Sequence, residues 1–317
     1  MTREAAGDRL PILLGVDVGG TKTDAIAIDG EGRILERRRS ATGFGPEAVV
    51  RTTRLAVTEL AEAMGRAPSA FASIGVGIPG RVDSRSGVVA HAVNLGLEDL
   101  PLGHLLEESF GLAVRIENDV NAAAVGAFHL LGLASPDSLA YLNLGTGTAA
   151  GLVLRGELRR GFGGSAGEIG HIPVDPDGPV CACGQRGCLE LTASGSAVAR
   201  MWPTSHGRPV QALFDAALAG RADAIAVKDR LVSSIAAGVR ILILTTDVDL
   251  IVIGGGLTSV GRPLLDAVRD VLARWAADSP FLRSLDLEGR VRLLDADDAA
   301  GSSAPVAALG AAHLGRC

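Results

Sequence analysis

The chain has 317 residues, 47% hydrophobic and 21% charged, which supplies a large core and suits one or two domains. A net charge of −6 excludes a broad electrostatic grip on nucleic acid or an anionic membrane. The one basic run, Arg37-Arg38-Arg39, reads as the solvated face of a strand or turn.

The opening MTREAAGDRLPILLGVDVGG mixes charges of both signs before a short apolar run that ends at Asp17, a pattern of neither a signal peptide nor a membrane span. A soluble cytoplasmic protein is expected. In a reducing cytoplasm, clustered cysteines point to metal rather than disulfides.

In chain order, LGVDVGGTKTDAIAID (14–29) predicts a β-hairpin with glycines at its turn, and 46–65 a helix. SIGVGIPG (73–80) is a strand and turn, and VNAAAVGAFHLLG (120–132) a helix. YLNLGTGTAAGLVLRGEL (141–158) repeats the first hairpin about 126 positions on, with Asp17 matching Asn143 and Gly19 matching Gly145. Helical patterns follow in GSAVARMW, VQALFDAALAG and AIAVKDRLVSSIAAGVRILILTT, then a strand, DLIVIGGGL (249–257). RPLLDAVRDVLARWA is a helix, VRLLDAD (291–297) a strand, and SAPVAALGAAHLG the last helix. Two copies of one α/β domain are expected: residues 1–127, with a final helix at about 302–317 packing back on them, and residues 128–301.

Each hairpin turn offers bare backbone N–H groups and hydroxyls, which suits phosphate oxygens; a plain tight turn is the alternative. Gly19, Gly20, Thr21 and Lys22 form one such turn, and Gly145, Thr146 and Gly147 the other. Neither has the spacing of a P-loop. Asp17 is placed to hold magnesium through water. Lys22, one of two lysines, is either a solvated turn residue or a phosphate neighbour. Gly254, Gly255 and Gly256 end an apolar strand where an adenosine would lie against backbone.

In VRIENDVNAAAVGAF (114–128) an apolar strand ends at Glu117, and Asn118 and Asp119 stand where a helix begins. One of them suffices as a cap. The dipole favours the charged form of the second, which can then take a proton from an attacking hydroxyl in phosphoryl transfer.

Cys181, Cys183 and Cys188 fall within eight positions, with His171 upstream. The H-x9-C-x-C-x4-C set meets the demand of tetrahedral, structural zinc and leaves no open position for a metal-bound water. Such a knot would pin Glu168, His171 and Glu190 together, acids and an N–H donor converging as a buried polyhydroxylated ligand requires. A sugar is the ligand that this describes. Cys317, at the terminus, is expected to stand apart.

DVGGTKT (17–23), GIPG (77–80), ENDVNAAA (117–124), LNLGTGTAAG (142–151), GEIGH (167–171), CACGQRGCLE (181–190) and IVIGGGL (251–257) together resemble the ROK family, bacterial sugar kinases grouped with repressors. The resemblance runs from about Leu13 to the final helix. It implies the two-lobed actin-like ATPase fold, hexokinase and ribonuclease H-like, with ATP and sugar meeting in the cleft. By the family's pattern Asp119 is the catalytic base acting on a hexose hydroxyl, usually the 6-hydroxyl. Asn94, Asn118, Glu168, His171 and Glu190 contact sugar hydroxyls. Asp17 and the two glycine turns serve magnesium and phosphates. Family members are commonly homodimers or homotetramers.

The chain departs from the family at one point. Members often carry a Trp a residue or two after Asn-Leu, whereas Asn94-Leu95 is followed here by Gly96-Leu97. The expected function is therefore an ATP-dependent hexose kinase acting on glucose, with N-acetylglucosamine or N-acetylmannosamine as alternative acceptors. A sugar-sensing transcription regulator of the same family, lacking its DNA-binding domain, is the alternative of another class. The preferred hexose and the use of polyphosphate as donor lie beyond residue spacing.

Overall fold

The computed structural model describes residues 11–205, 207–294 and 305–316; Cys317, expected to stand apart from the metal set, lies outside them. The chain divides into two compact units, Met1–Leu130 with Ser303–Cys317 and Leu131–Ser302.

In the first unit β1 (Leu13–Val18) turns into β2 (Lys22–Ile28), which pairs antiparallel with β3 (Ile34–Ala41). Arg37 and Arg39 of β3 both donate to the Asp24 carboxylate of β2, so the basic run is a strand face with its own acid. α1 (Pro46–Ala63) starts on a proline and buries Val49, Thr53, Ala56, Val57 and Leu60 at helical spacing. β4 (Ser73–Ile78) is buried along its whole length, as befits a strand paired in parallel on both edges.

A small antiparallel sheet follows: β5 (Arg81–Asp83), β6 (Val88–Ala92) and β7 (Leu97–Leu100). Its strands have three to five residues, too few for an alternating pattern to register in the sequence. α2 (Leu102–Phe110) leads to β8 (Val114–Asn118), and β8 runs directly into α3 (Asp119–Leu130). The main sheet has the order β3-β2-β1-β4-β8.

The second unit repeats this plan. β9 (Leu139–Leu144), β10 (Thr148–Leu154) and β11 (Glu157–Leu158) are antiparallel. Four helices follow: α4 (Glu190–Ala193), α5 (Gly195–Met201), α6 (Pro209–Leu218) and α7 (Ala222–Thr246). β12 (Leu250–Gly254) adds in parallel to β9. Then come α8 (Arg262–Ala277), the short α9 (Pro280–Ser284) and β13 (Val291–Leu293), giving the order β11-β10-β9-β12-β13. The strand expected over 291–297 stops at Leu293, and residues 295–297 of it lie outside the described residues.

The registers show how deep the repeat goes. Asp17 pairs with Asp24 of β2 and Gly77 of β4; Asn143 pairs with Ala149 of β10 and Gly254 of β12. α10 (Val306–Leu314) lies against α3 and β1 of the first unit. Contact is backbone on backbone: a Cβ at Gly310 would fall 1.7 Å from the Ala122 carbonyl oxygen, and one at Gly126 1.9 Å from that of Val306. No helix among the described residues is long and apolar enough to cross a membrane.

Candidate active site

The second unit carries the cysteine cluster on irregular chain, where β-bridges Pro173–Cys188 and Val180–Arg186 fold the loop over. Ligand atoms of His171, Cys181, Cys183 and Cys188 all lie within 4.8 Å of one another. Cys183 and Cys188 sulfurs are 3.6 Å apart, and Cys181 Sγ is 3.9 Å from His171 Nδ1. Four ligands at about 2.0–2.3 Å from a tetrahedral centre are separated by roughly 3.3–3.8 Å, so the set is close to the edge lengths that zinc requires. Backbone and side-chain N–H groups of Gln185 hold the exposed Cys183 thiol down at about 6, towards the thiolate that binds metal. Burial pushes the Cys188 thiol up to about 12.

Glu190, the first residue of α4, reaches back to this cluster: its Oε1 accepts from Cys181 Sγ at 3.3 Å and is 3.6 Å from His171 Nδ1. Of Glu168, His171 and Glu190, expected together on one knot, Glu190 and His171 are in contact. Glu168 is exposed at the start of the short 3-10 turn Ile169–His171, and its carbonyl accepts from the His171 N–H at 3.2 Å. On its other side Glu190 faces the second hairpin turn, since a Cβ at Gly147 would lie 3.2 Å from Oε2.

In the first unit the two residues between β8 and α3 divide their work. Asn118 Oδ1 accepts from the N–H groups of Val120, at 2.9 Å, and Asn121, at 3.2 Å, which makes Asn118 the helix cap. Its amide donates to the Gly80 carbonyl at 3.2 Å. Below it Glu117, buried, accepts from Asn121 Nδ2 and the Asn118 N–H, both at 3.0 Å. Asp119 opens α3 and is half-buried. Its Oδ1 also accepts from the Val120 N–H, at 2.9 Å, so the two side chains share that donor while Asn118 alone takes the Asn121 N–H.

Asp17 lies near the end of β1. Burial, then the charges of Asp119 and of Asp24, push its carboxyl up to about 7. A hard cation beside Asp17 would relieve that repulsion. Lys22, the first residue of β2, is exposed beside exposed Gly20 and Thr21. Asn94 is exposed on the 3-10 turn Val93–Leu95, facing Gly20 of the same unit.

The second hairpin turn borders a cavity of about 580 Å³ in the second unit. Gly145, Thr146 and Gly256 line it with Gly195, Ser196 and Arg208, and Val198, Val210 and Leu257 give it apolar walls. Such a mixture of backbone, hydroxyl and apolar surface suits a nucleotide base and ribose. Of the other glycines, Gly254 is buried in β12 against the Tyr141 ring, and Gly255 leads into the 3-10 turn Gly256–Val260. Ser196 braces the turn, its hydroxyl donating to the Thr146 carbonyl at 2.7 Å, and the Gly195 N–H donates to the Gly145 carbonyl at 2.7 Å. Neither Ser196 nor Arg208 is signalled by sequence, because each lies some 50 or more positions from the turn it serves.

Residues 13–311 match the ROK family model. The glucokinase of Thermotoga maritima is 34% identical over 278 residues, which cover 81% of this chain and 86% of that enzyme. The structure of a ROK family glucokinase from Streptomyces griseus in complex with glucose and AMPPNP superposes with a TM-score of 0.76 at 31% identity, covering 96% of this chain and 99% of that one. A ROK hexokinase from Thermus thermophilus gives the same TM-score at 32% identity, covering 96% and 98%. The hairpin-led sheets thus have the actin-like ATPase fold of these sugar kinases. With the family match spanning nearly all of the sequence and the duplicated sheets behind it, the chain belongs to the ROK family.

Proposed function

We propose that the chain is an ATP-dependent hexose kinase that transfers the γ-phosphoryl group of MgATP to the 6-hydroxyl of glucose. The carrying observation is the head of α3, where Asn118 caps the helix and the half-buried Asp119 carboxylate is held on the Val120 N–H within electrostatic reach of Asp17. Similarity to the glucokinases of Thermotoga maritima and Streptomyces griseus supports the reaction and the acceptor.

Asp119 takes the proton of the sugar hydroxyl as that oxygen bonds to the γ-phosphorus, and the bond from phosphorus to the β,γ-bridging oxygen breaks to release ADP. In the first unit Asn94 and Asn118 orient the hexose and the Gly19–Lys22 turn meets phosphate. In the second, Glu168, His171 and Glu190 are the hexose contacts, and the Gly145–Gly147 turn and Gly254–Gly256 serve the nucleotide. Magnesium, bound through Asp17, would neutralise phosphate charge. His171, Cys181, Cys183 and Cys188 would hold structural zinc, which orients the His171 ring and so the wall that it shares with Glu190.

The test is an ADP-release assay on purified protein across glucose, mannose, N-acetylglucosamine and N-acetylmannosamine. Glucose should give the highest kcat/KM. A preference for an N-acetylated sugar would move the assignment to a hexosamine kinase, and no release with any sugar would refute the kinase reading.

A further inference from the structure

The turn after Asn94 carries no side chain at Gly96, whose φ of 66° lies in the left-handed region. The space that a side chain there would take is filled from elsewhere. A Cβ on Gly96 would lie 2.6 Å from the Phe44 ring, so the ring is seated against the glycine backbone.

Phe44 belongs to the loop between β3 and α1, which is tied at both ends. The Thr42 N–H donates to the Thr21 carbonyl at 3.1 Å, and the Gly45 N–H donates to the Leu95 carbonyl at 2.8 Å. One tie reaches the first hairpin turn and the other reaches the Asn94 turn. Although held in place, the ring is 75% exposed, and Val93 beside Asn94 is 82% exposed. Lone exposed apolar residues need no explanation. Here two of them flank a single exposed amide on a loop fixed by backbone hydrogen bonds.

The turn that carries the patch is linked to the head of α3 through Gly80. Gly80, whose carbonyl holds the Asn118 amide, has its backbone against Ala92, two residues before Asn94. A hexose has hydroxyls at its rim and C–H bonds on its ring faces. Amide and carboxylate groups can satisfy the rim, while a C–H face needs a rigid apolar partner, and an aromatic ring supplies it at small entropic cost.

We propose that Phe44 is the aromatic platform on which the acceptor hexose lays a C–H face, seated in the space that Gly96 leaves open. The proposal rests on the hexose-kinase reading. It makes Phe44 a specificity-determining residue supplied from a different loop than the one that carries Asn94. An axial substituent on the stacked face, whether hydroxyl or N-acetyl, would lift the sugar from the ring, so the same contact favours flat, equatorial hexoses.

The experiment measures the glucose dissociation constant by calorimetry, together with KM for glucose and for ATP, in wild type, Phe44→Ala, Phe44→Tyr and Phe44→Leu. Phe44→Ala should raise the glucose Kd and KM about three- to tenfold, the worth of one aromatic contact, with the ATP KM unchanged. Phe44→Tyr should restore wild-type binding. Phe44→Leu keeps contact with Gly96 but lacks the ring; it should bind glucose as weakly as Phe44→Ala and decides the matter if Phe44→Ala melts early. Wild-type glucose Kd in both ringless variants would overturn the platform, and if Asp119→Asn still abolished turnover the kinase reading would stand without it. A wild-type protein that neither binds nor phosphorylates any hexose would refute both.

Discussion

The two hairpin turns share sheet order and register yet differ in charge. Asp17 and Asn143 occupy the same place beside a parallel strand, at Gly77 and Gly254 respectively. Across the hairpin Asp17 meets another acid, Asp24, whereas Asn143 meets Ala149. The first turn is thus built around crowded carboxylates, with Asp24 steadied by Arg37 and Arg39. The second has no acid in that pair, and its turn is braced by Ser196, with Glu190 Oε2 beside Gly147. One duplicated scaffold has a copy with an acidic pair and a copy with an uncharged pair; in the proposed kinase the first attracts the cation and the second leaves phosphate and base to backbone groups. Repetition of the sheet sets where the turns stand; a few side chains decide what each can bind.

The largest effect should come from the acid at the head of α3. Asp119→Asn is expected to lower kcat by about a hundredfold to ten-thousandfold, the usual worth of a positioned base, with the glucose Kd changed far less; stopped turnover assays and calorimetry read the two separately. Near-normal kcat would remove Asp119 from the chemistry.

Next in size is the metal cluster of the second unit. Cys183→Ser should lose zinc, read by elemental analysis, and weaken glucose binding by about tenfold or more, because His171 then has no fixed orientation. A variant without zinc that keeps full affinity would separate the knot from the sugar.

Exchanging the paired residues sharpens the comparison directly. Asp17→Asn should raise the magnesium concentration needed for half-maximal rate. Asn143→Asp should raise the ATP KM instead, since it sets a negative charge beside a turn meant for phosphate. If both variants shifted the same parameter, the two turns would not have divided their roles.

The smallest effect is on stability. Folding raises the Asp17 pKa from 3.8 to about 7, so the folded chain prefers the protonated acid. That preference stabilises fully below about pH 4 and is lost as pH rises through 7. Without magnesium, wild type and Asp17→Asn should melt together at pH 4, and the variant should melt higher at pH 8. Millimolar magnesium should narrow the gap at pH 8. A constant gap across this range would mean that Asp17 is ionised throughout.

Several of the local groupings described above are legible from residue order alone, for a physical reason. The Cys3His set lies within eighteen positions, from His171 to Cys188, so the spacing itself brings the four side chains together. Asn118 and Asp119 sit at a strand-to-helix junction that apolar periodicity marks clearly. The hairpins announce themselves by glycines between apolar runs, and their repetition foretold the matched sheets. What stayed hidden is built from distant chain. Ser196 reaches the Thr146 carbonyl from 50 positions away, and Asp24 becomes part of the Asp17 cluster only through strand register. Phe44 finds its seat because Gly96, 52 positions on, carries no side chain. The sheet β5-β6-β7 was missed because its strands are short, and α2 because nine residues carry little periodic signal.

The central claim is that the hydroxyl deprotonated by Asp119 is the 6-hydroxyl of a hexose and that it takes the γ-phosphoryl group. Phosphorus NMR of wild-type protein incubated with MgATP and either glucose or 6-deoxyglucose addresses it most directly. A phosphomonoester signal of glucose 6-phosphate with the first sugar, and ATP left intact with the second, is the predicted result. Phosphoryl transfer to 6-deoxyglucose, or a glucose product phosphorylated elsewhere, would contradict it.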